Sequence, residues 1–274
     1  MAVDRPTHGR NSGFVTAVTP TRRVVLLGAS NLTISFATVV ETVRRTWGEP
    51  VEIMAAMGHG RSYGQDSTVL GRKISGIFPC ALWQDLRDRP PLPTTALLTD
   101  VGNDLLYGVP PEVLLEWVAA CLDRLEQASA QTIVTQLPLA SIARLSEARF
   151  RFFRRLFFPR SNLTLADAHS LASAINAGLA NFGESRKISV ISMSRAWYGL
   201  DPIHIRRRAC RRAWPAILAA WRAEGAPLEC RRSSLWTNAY LRCLTPTEQW
   251  LFGIRRGAAQ PSGRLSDGTT ISLY

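Results

Sequence analysis

The chain carries near its start the stretch Val24-Val25-Leu26-Leu27-Gly28-Ala29-Ser30-Asn31-Leu32. An apolar run of strand length ends at Gly28, and Ser30 follows where a helical pattern begins. At the carboxyl end of a parallel strand, a serine hydroxyl stands in a crevice, and its N–H points out of the first turn of the next helix. Ser30 is therefore a candidate nucleophile, and a serine that merely caps a helix is the alternative.

Four more apolar runs of strand length follow this one, with helical patterns between them. The predicted strands are 24–27, 51–57, 95–99, 132–137 and 188–192, and the predicted helices are 35–47, 110–125, 142–158, 163–182 and an arginine-rich helix that ends near Ala223. Strands that alternate with helices indicate a parallel sheet covered on both faces. We expect an α/β fold, a three-layer α/β/α sandwich whose five-stranded sheet has the flavodoxin-like order 2-1-3-4-5.

The alternation divides the chain into three segments. Residues 1–21 are predicted to be an N-terminal arm and residues 22–223 the α/β domain. Residues 224–274 form an arginine-rich extension that we expect to pack on the core or on a partner chain in an oligomer. Within it, Thr245-Pro246-Thr247-Glu248 has the pattern of a capping box and predicts a short helix.

Composition excludes several classes of protein. The 274 residues are 46% hydrophobic, but no apolar run approaches the roughly 18 residues of a transmembrane helix. The N-terminus lacks the basic-then-apolar order of a secretory signal, so we predict a cytoplasmic protein. The five cysteines and four histidines have no metal-ligand spacing, which indicates no metal and no cofactor.

The net charge of +12 comes almost wholly from arginine. Such an excess can attract nucleic acid, anionic membranes or acidic substrates. Because the arginines are dispersed and no nucleic-acid-binding motif accompanies them, we expect no specific nucleic-acid partner.

Three strand ends carry residues that suit acyl transfer. Ser30 follows the first strand, Gly60 lies in the glycine-rich loop 58–64 after the second, and Asn103 follows the third. In the order 2-1-3-4-5 these residues meet at one crevice, where the N–H groups of Ser30 and Gly60 and the amide of Asn103 would form an oxyanion hole. His59 in the same loop is a candidate substrate contact, and an exposed histidine without a role is the alternative.

A candidate base lies near the end of the α/β domain. In Asp201-Pro202-Ile203-His204, a carboxylate three residues before a histidine can accept the proton of its Nδ1. The ring's Nε2 is then free for Ser30. Asp100, at the end of the third strand, is a candidate to orient the loop of Asn103.

These blocks resemble the SGNH (GDSL-like) hydrolases. Gly28-Ala29-Ser30 is similar to the first block, Gly60 to the glycine of the second, Val101-Gly102-Asn103-Asp104 to the third, and Asp201-Pro202-Ile203-His204 to the fifth. The resemblance covers residues 22–223 and implies that Ser30 is the nucleophile, His204 the base and Asp201 its orienter. It also implies an oxyanion hole of Ser30, Gly60 and Asn103, with Gly58 as the alternative glycine.

The sequence departs from the family pattern at two positions. Ala29 replaces the aspartate beside the nucleophile, and Val101 replaces the first glycine of the third block. Neither residue performs acyl chemistry, so the resemblance still implies hydrolysis of a small-molecule ester. Carboxylesterase, thioesterase and carbohydrate O-deacetylase activities all remain open, and the alternative is a non-catalytic module that binds a polyanion or a protein through its basic surface.

One helical segment has an unusual pattern, since phenylalanines alternate with arginines from Arg149 to Phe158. We interpret this segment as a crossover helix with its arginines outside. An acyl-binding cap or a helix on a membrane surface is the alternative.

Overall fold

The computed structural model describes residues 19–48, 50–157, 161–222 and 233–274. Its strands are β1 (Arg23–Leu27), β2 (Glu52–Ala56), β3 (Ser67–Val69), β4 (Arg72–Ile74), β5 (Thr94–Leu98), β6 (Gln131–Thr135), β7 (Ser189–Ile191), β8 (Gln249–Leu251), β9 (Ile254–Arg256), β10 (Gly263–Arg264) and β11 (Thr270–Leu273). Its α-helices are α1 (Ser30–Trp47), α2 (Leu82–Asp88), α3 (Asn103–Leu106), α4 (Pro111–Gln127), α5 (Leu139–Ile142), α6 (Glu147–Phe157), α7 (Leu165–Arg186), α8 (Arg207–Leu218) and α9 (Leu235–Cys243).

The central sheet has the order β10-β11-β2-β1-β5-β6-β7 in the described ranges. The five predicted strands are β2, β1, β5, β6 and β7, and their predicted order and parallel direction are confirmed. The prediction of a five-stranded sheet is wrong, because the C-terminal segment adds β11 parallel to β2 and β10 antiparallel to β11.

Two apolar cores cover the two faces of this sheet, which confirms the predicted three layers. Val24 and Leu26 of β1 point to a core built with α1 and α8, whereas Val25 and Leu27 point to a core built with α2, α4 and α7. This alternation follows from the two-residue repeat of a strand whose faces are both buried.

Strand register places the loops of the site at one edge of the sheet. Leu27 of β1 pairs with Ala56 of β2 and with Leu98 of β5, so the three strands end at the same level. The residues that follow them come out together at the carboxyl ends, where ligands bind in sheets of this kind.

A second, smaller sheet has the order β3-β4-β8-β9. It joins a hairpin from the segment after β2 with a hairpin from the C-terminal extension. The helix predicted at Thr245 is wrong, because Thr247 donates its N–H to the Leu273 carbonyl oxygen and the chain continues into β8. Pairing with the end of β11 takes precedence over the local capping pattern.

The helix predicted at 142–158 begins later, as α6, and Ile142 is the last residue of the short helix α5. Ser146 ends the gap between them, since its hydroxyl and carbonyl oxygens accept the N–H groups of Arg149 and Phe150. Of the segments predicted from sequence, residues 1–18 of the arm, Phe158, the helix end at Ala223 and residues 224–232 of the extension lie outside the described residues.

Candidate active site

Ser30 is the first residue of α1 and follows β1 through a tight connection. Gly28 is required there, because a Cβ at that position would lie 2.6 Å from Cγ2 of Thr99. The connection puts the Ser30 side chain at the carboxyl edge of the sheet, with only 8% of the residue's surface exposed.

A chain of hydrogen bonds joins Ser30, His204 and Asp201. Oγ of Ser30 lies 2.9 Å from Nε2 of His204, and Nδ1 of the same ring lies 2.6 Å from Oδ2 of Asp201. With the Nδ1 proton donated to Asp201, Nε2 has a free lone pair that can accept the serine proton. These three residues, selected from sequence for this arrangement, are adjacent in space.

Asp201 has an environment that favours its ionised form. Burial alone would raise its pKa, but the hydrogen bond and charge of His204 and the N–H groups of Ile203 and His204 lower the pKa below its ordinary value. Oδ1 accepts those two N–H groups at 3.0 and 3.1 Å. The carboxylate therefore holds the imidazole in one orientation and one tautomer.

Asn31 connects the helix of Ser30 to the loop of His204, a role that its surroundings in the sequence do not indicate. Its Nδ2 donates to the Ile203 carbonyl oxygen at 2.9 Å, and its Oδ1 accepts the N–H of Ile205 at 2.7 Å. Both neighbours of His204 are thus fixed by the residue next to Ser30. Its position after the candidate nucleophile was the only signal in the sequence.

Asp100 holds the first turn of α1 and not the loop of Asn103. Its Oδ2 accepts the N–H groups of Ala29, Asn31 and Leu32 at 2.9, 3.0 and 3.2 Å, and its Oδ1 accepts Nδ2 of Asn31 at 2.7 Å. A carboxylate at a helix N-terminus satisfies N–H groups that have no partner inside the helix. The carboxylate beside Ser30 therefore comes from the end of β5 and not from position 29.

Asn103 and Ser30 line the same cavity. Asn103 is 9% exposed, and its Nδ2 is buried without a hydrogen-bond partner among the described residues. A buried donor without a partner is costly, so its retention beside a candidate nucleophile suits a group that meets its acceptor only when substrate is present.

Hydrogen bonds join the glycine-rich loop to α3 and to the residue that follows it. Asp104 accepts a hydrogen bond from the Ser62 hydroxyl and another, at 3.0 Å, from the N–H of Tyr63. The Tyr107 hydroxyl donates to the Gly60 carbonyl oxygen at 2.5 Å. Gly60 has a φ of +61°, and a Cβ there would lie 2.8 Å from the Tyr107 hydroxyl, so the position requires glycine.

The loop's remaining candidates occupy different surroundings. Gly58 is buried, and a side chain at that position would collide with Ile74. His59 is exposed. Neither of them, nor Gly60, is among the residues that line the cavity of Ser30 and Asn103.

This cavity, of about 110 Å³, is mostly apolar. Besides Ser30 and Asn103 its wall includes side chains from the segments between β6 and β7: Leu137, Ile142, Leu145, Phe150, Phe153, Arg154, Leu163, Ala168 and Ala172. Helix α6, which carries the phenylalanines and arginines, packs against α7 and covers one side of the cavity. An apolar pocket beside a candidate nucleophile suits the acyl part of an ester.

Arg61 connects the glycine-rich loop to the C-terminal segment. It is completely buried, donates from Nε to the Ser75 carbonyl oxygen at 3.0 Å, and donates from Nη1 to main-chain oxygens of Met57 and Tyr274. Burial lowers the pKa of this guanidinium. The end of β11 is thereby fixed beside the loop that carries Gly60.

No group of three or more His, Cys, Asp or Glu side chains in the described ranges is arranged to hold a metal ion. No helix there combines the length and the apolar character needed to cross a membrane. Cys80, Cys121 and Cys243 are free thiols.

Comparison with known proteins supports the fold. No family model matches the chain, and no curated protein sequence matches it. Among solved structures, a carbohydrate acetylesterase family member from Sinorhizobium meliloti is 14% identical, with a TM-score of 0.51 over 72% of this chain and 95% of that chain. The native aryl esterase of M. smegmatis is 13% identical, with a TM-score of 0.50 over 73% of this chain and 97% of that chain.

The chain therefore has the α/β/α fold of these esterases. The fold implied by the resemblance to the SGNH hydrolases is confirmed. At these identities the likeness concerns the fold, and the chemistry has to be argued from the site itself.

Proposed function

We propose that this protein is a serine hydrolase that cleaves a carboxylic ester through a covalent acyl-enzyme. The proposal rests on one observation, the hydrogen-bonded chain from Ser30 through His204 to Asp201 beside an apolar cavity. A nucleophile, a base and an orienting carboxylate in this geometry are what acyl transfer requires.

In the first half-reaction, Nε2 of His204 accepts the hydroxyl proton of Ser30 while Oγ bonds to the ester carbonyl carbon. The negative charge that develops on the carbonyl oxygen is stabilised by the N–H groups of Ser30 and Gly60 and by Nδ2 of Asn103. The bond to the alcohol oxygen then breaks, and that oxygen takes the proton from His204. The alcohol leaves, and the acyl group stays on Ser30.

In the second half-reaction, water replaces the alcohol. His204 accepts a proton from the water as its oxygen attacks the acyl carbon, and the same donors stabilise the second oxyanion. The bond to Oγ breaks, Ser30 recovers its proton from His204, and the carboxylic acid leaves. Asp201 remains ionised throughout and stabilises the imidazolium that forms in each step.

Covalent labelling tests the nucleophile without assuming a substrate. A fluorophosphonate phosphonylates an activated serine with loss of fluoride, and digestion followed by mass spectrometry identifies the modified residue. We expect the label on Ser30 and none in Ser30→Ala. Ser35→Ala is the matched control, because Ser35 is a buried serine on the same helix whose hydroxyl donates to Sγ of Cys210 at 3.3 Å. The proposal is rejected if the folded wild type takes up no label, or takes it up elsewhere.

Hydrolysis of p-nitrophenyl acetate, butyrate and octanoate tests the reaction. We expect Ser30→Ala to lower kcat/KM at least about 1,000-fold, since removal of one member of such a triad abolishes most of the catalysis. Ser35→Ala keeps most of the activity. A wild type that neither takes label nor hydrolyses these esters would support the non-catalytic binding module instead, and retention on heparin at physiological salt would then be measured.

A further inference from the structure

The hairpin of β3 and β4 lies against the glycine-rich loop and brings an arginine to it. A Cβ on Gly60 would lie 2.8 Å from Cγ2 of Val69, and a Cβ on Gly58 would collide with Ile74, so these two side chains face the loop. Arg72 pairs directly with Val69 and stands two residues before Ile74 on the same strand. Side chains at such positions share one face of a sheet, so Arg72 projects toward the loop of Gly58 and Gly60.

Pairing on both sides fixes the strand that carries Arg72. β4 lies between β3 and β8, and Arg72 pairs with Val69 on one side and with Leu251 on the other. The arginine is therefore the first residue of an inner strand of a small sheet. Groups on rigid elements make more precise binding sites than groups on loops.

Arg72 lacks the partners that a half-buried guanidinium normally has. Its Nε is buried without a hydrogen-bond partner in the described part of the chain, and none of the ion pairs there includes it. Burial lowers its pKa, and no carboxylate opposes that effect. By contrast, Lys73 on the opposite face of the strand pairs with Asp66 at 2.9 Å. A half-buried charge without a counter-charge is costly, which points to a ligand that supplies the missing anion.

His59 lies between Gly58 and Gly60 in the loop that Arg72 faces. Loss of hydration, the charge of Arg72 and the charge of His204 lower the pKa of His59, in that order. A neutral imidazole still offers one N–H donor to an anion that Arg72 holds.

The position of His204 decides which part of an ester would lie near Arg72 and His59. The leaving oxygen must approach Nε2 of His204 to receive its proton, so the alcohol part lies on the side of that ring. His59, Arg72 and His204 are not among the residues that line the apolar cavity beside Ser30 and Asn103. In the proposed reaction this cavity holds the acyl part. The two halves of an ester thus meet different surroundings.

We propose that Arg72, assisted by His59, binds an oxyanion on the alcohol part of the substrate, so that the preferred esters carry a carboxylate or phosphate group on that part. This inference rests on the proposed ester hydrolase function. A guanidinium suits both oxyanions, because its parallel N–H groups match two oxygens of either one.

Matched esters test the inference. The acetate esters of 4-hydroxybenzoate and of 4-hydroxyphenyl phosphate carry the two anions, and the acetate of methyl 4-hydroxybenzoate is the neutral counterpart. We expect wild-type kcat/KM to favour at least one anionic ester over the neutral one. Arg72→Met should lower the ratio of kcat/KM for the anionic ester to kcat/KM for the neutral ester about 10- to 100-fold, as expected for loss of a charge-assisted hydrogen bond. Its kcat/KM for the neutral ester should stay within about threefold of the wild-type value. Lys73→Met, which loses the same charge from the other face of β4, keeps the preference.

The outcomes separate this inference from the proposed function. If the neutral ester is cleaved by Ser30 but the wild type prefers neither anion, the oxyanion site is overturned and the hydrolase stands. If no ester is cleaved and Ser30 takes no label, both fail. Which anionic ester is preferred distinguishes a carboxylate from a phosphate substrate.

Product inhibition gives a readout that needs no folded variant. We expect 4-hydroxybenzoate to inhibit wild-type hydrolysis of p-nitrophenyl acetate at least about tenfold more strongly than its methyl ester, with the difference reduced by salt. Equal inhibition by the two phenols, together with equal inhibition by 4-hydroxyphenyl phosphate, would overturn the inference.

Discussion

Replacing Asp100 by alanine removes the carboxylate that holds the first turn of α1, and we expect a large loss of both stability and activity. Three main-chain N–H groups and Nδ2 of Asn31 lose their acceptor. Hydrogen bonds to charged groups contribute about 1.5–3 kcal/mol each, but water replaces part of this at a half-buried site, so we expect about 2–4 kcal/mol in total.

The backbone at Asp100 adds a second contribution. Its φ is +61°, in the left-handed region that asparagine, aspartate and glycine tolerate better than alanine. Alanine there costs about 1 kcal/mol more than glycine. The expected order of destabilisation is therefore Ala above Gly above Asn, since Asp100→Asn keeps the tolerated backbone and one acceptor oxygen.

Urea unfolding followed by circular dichroism measures the free energy of unfolding of the three variants, and p-nitrophenyl acetate hydrolysis measures their activity. We expect kcat to fall at least about tenfold in Asp100→Ala, because Ser30 lies in the loosened turn and Asn31 no longer fixes both neighbours of His204. Asp88→Ala is the control, since the Asp88 carboxylate also accepts side-chain hydrogen bonds but is exposed; its cost should stay within about 0.5 kcal/mol. Three Asp100 variants as stable and as active as the wild type would refute this reasoning.

Arg61→Met leaves buried main-chain oxygens without a donor, so we expect the free energy of unfolding measured in urea to fall by about 3–5 kcal/mol. For the control Arg87→Met, at an exposed position, it should change by no more than about 0.5 kcal/mol. Burial raises the pKa of Asp104 to about 6 from 3.8, so its contribution to stability is greatest below pH 3.8 and is lost as pH rises through 6. From pH 4 to 7 the free energy of unfolding of the wild type should fall by up to about 3 kcal/mol relative to that of Asp104→Asn. Parallel plots of the free energy of unfolding against pH for the two proteins would contradict this. Ala172→Phe fills part of the cavity, and we expect kcat/KM for p-nitrophenyl octanoate to fall at least about tenfold relative to the acetate. An unchanged ratio would mean that acyl chains do not enter the cavity.

The five strands could be predicted from sequence because each has an apolar centre bounded by a helix or a loop, and their order followed from the flavodoxin-like arrangement of such alternating elements. β11 could not, because its four residues follow a polar segment and pair with β2, more than 200 positions earlier. The hairpin of β3 and β4 was missed for a similar reason. Its strands have three residues each and gain stability from β8, which the sequence does not connect to them.

The predicted site contained the residues that would react but few of those that hold them. Ser30, Asn103 and His204 could be selected because each stands at a strand end or in a recognisable spacing. Asn31 and Asp100 act through main-chain groups of other segments, and nothing in their own neighbourhood indicates those partners. The catalytic roles and the choice of Gly60 over Gly58 stay predictions.

The reacting residues, the apolar cavity and Arg72 come from different segments of the chain. Ser30, Asn103 and His204 follow β1, β5 and β7, whereas the apolar cavity is completed by α6 and α7, and Arg72 belongs to a hairpin held by the C-terminal extension. Under the proposed function, rate and selectivity should therefore depend on different segments. Substitutions in α6 should alter acyl preference and those on β4 the preference for the alcohol part, each with the reaction at Ser30 intact. Arg61 is the exception, because it joins the C-terminal strand to the loop of Gly60, so a change there should reduce both together.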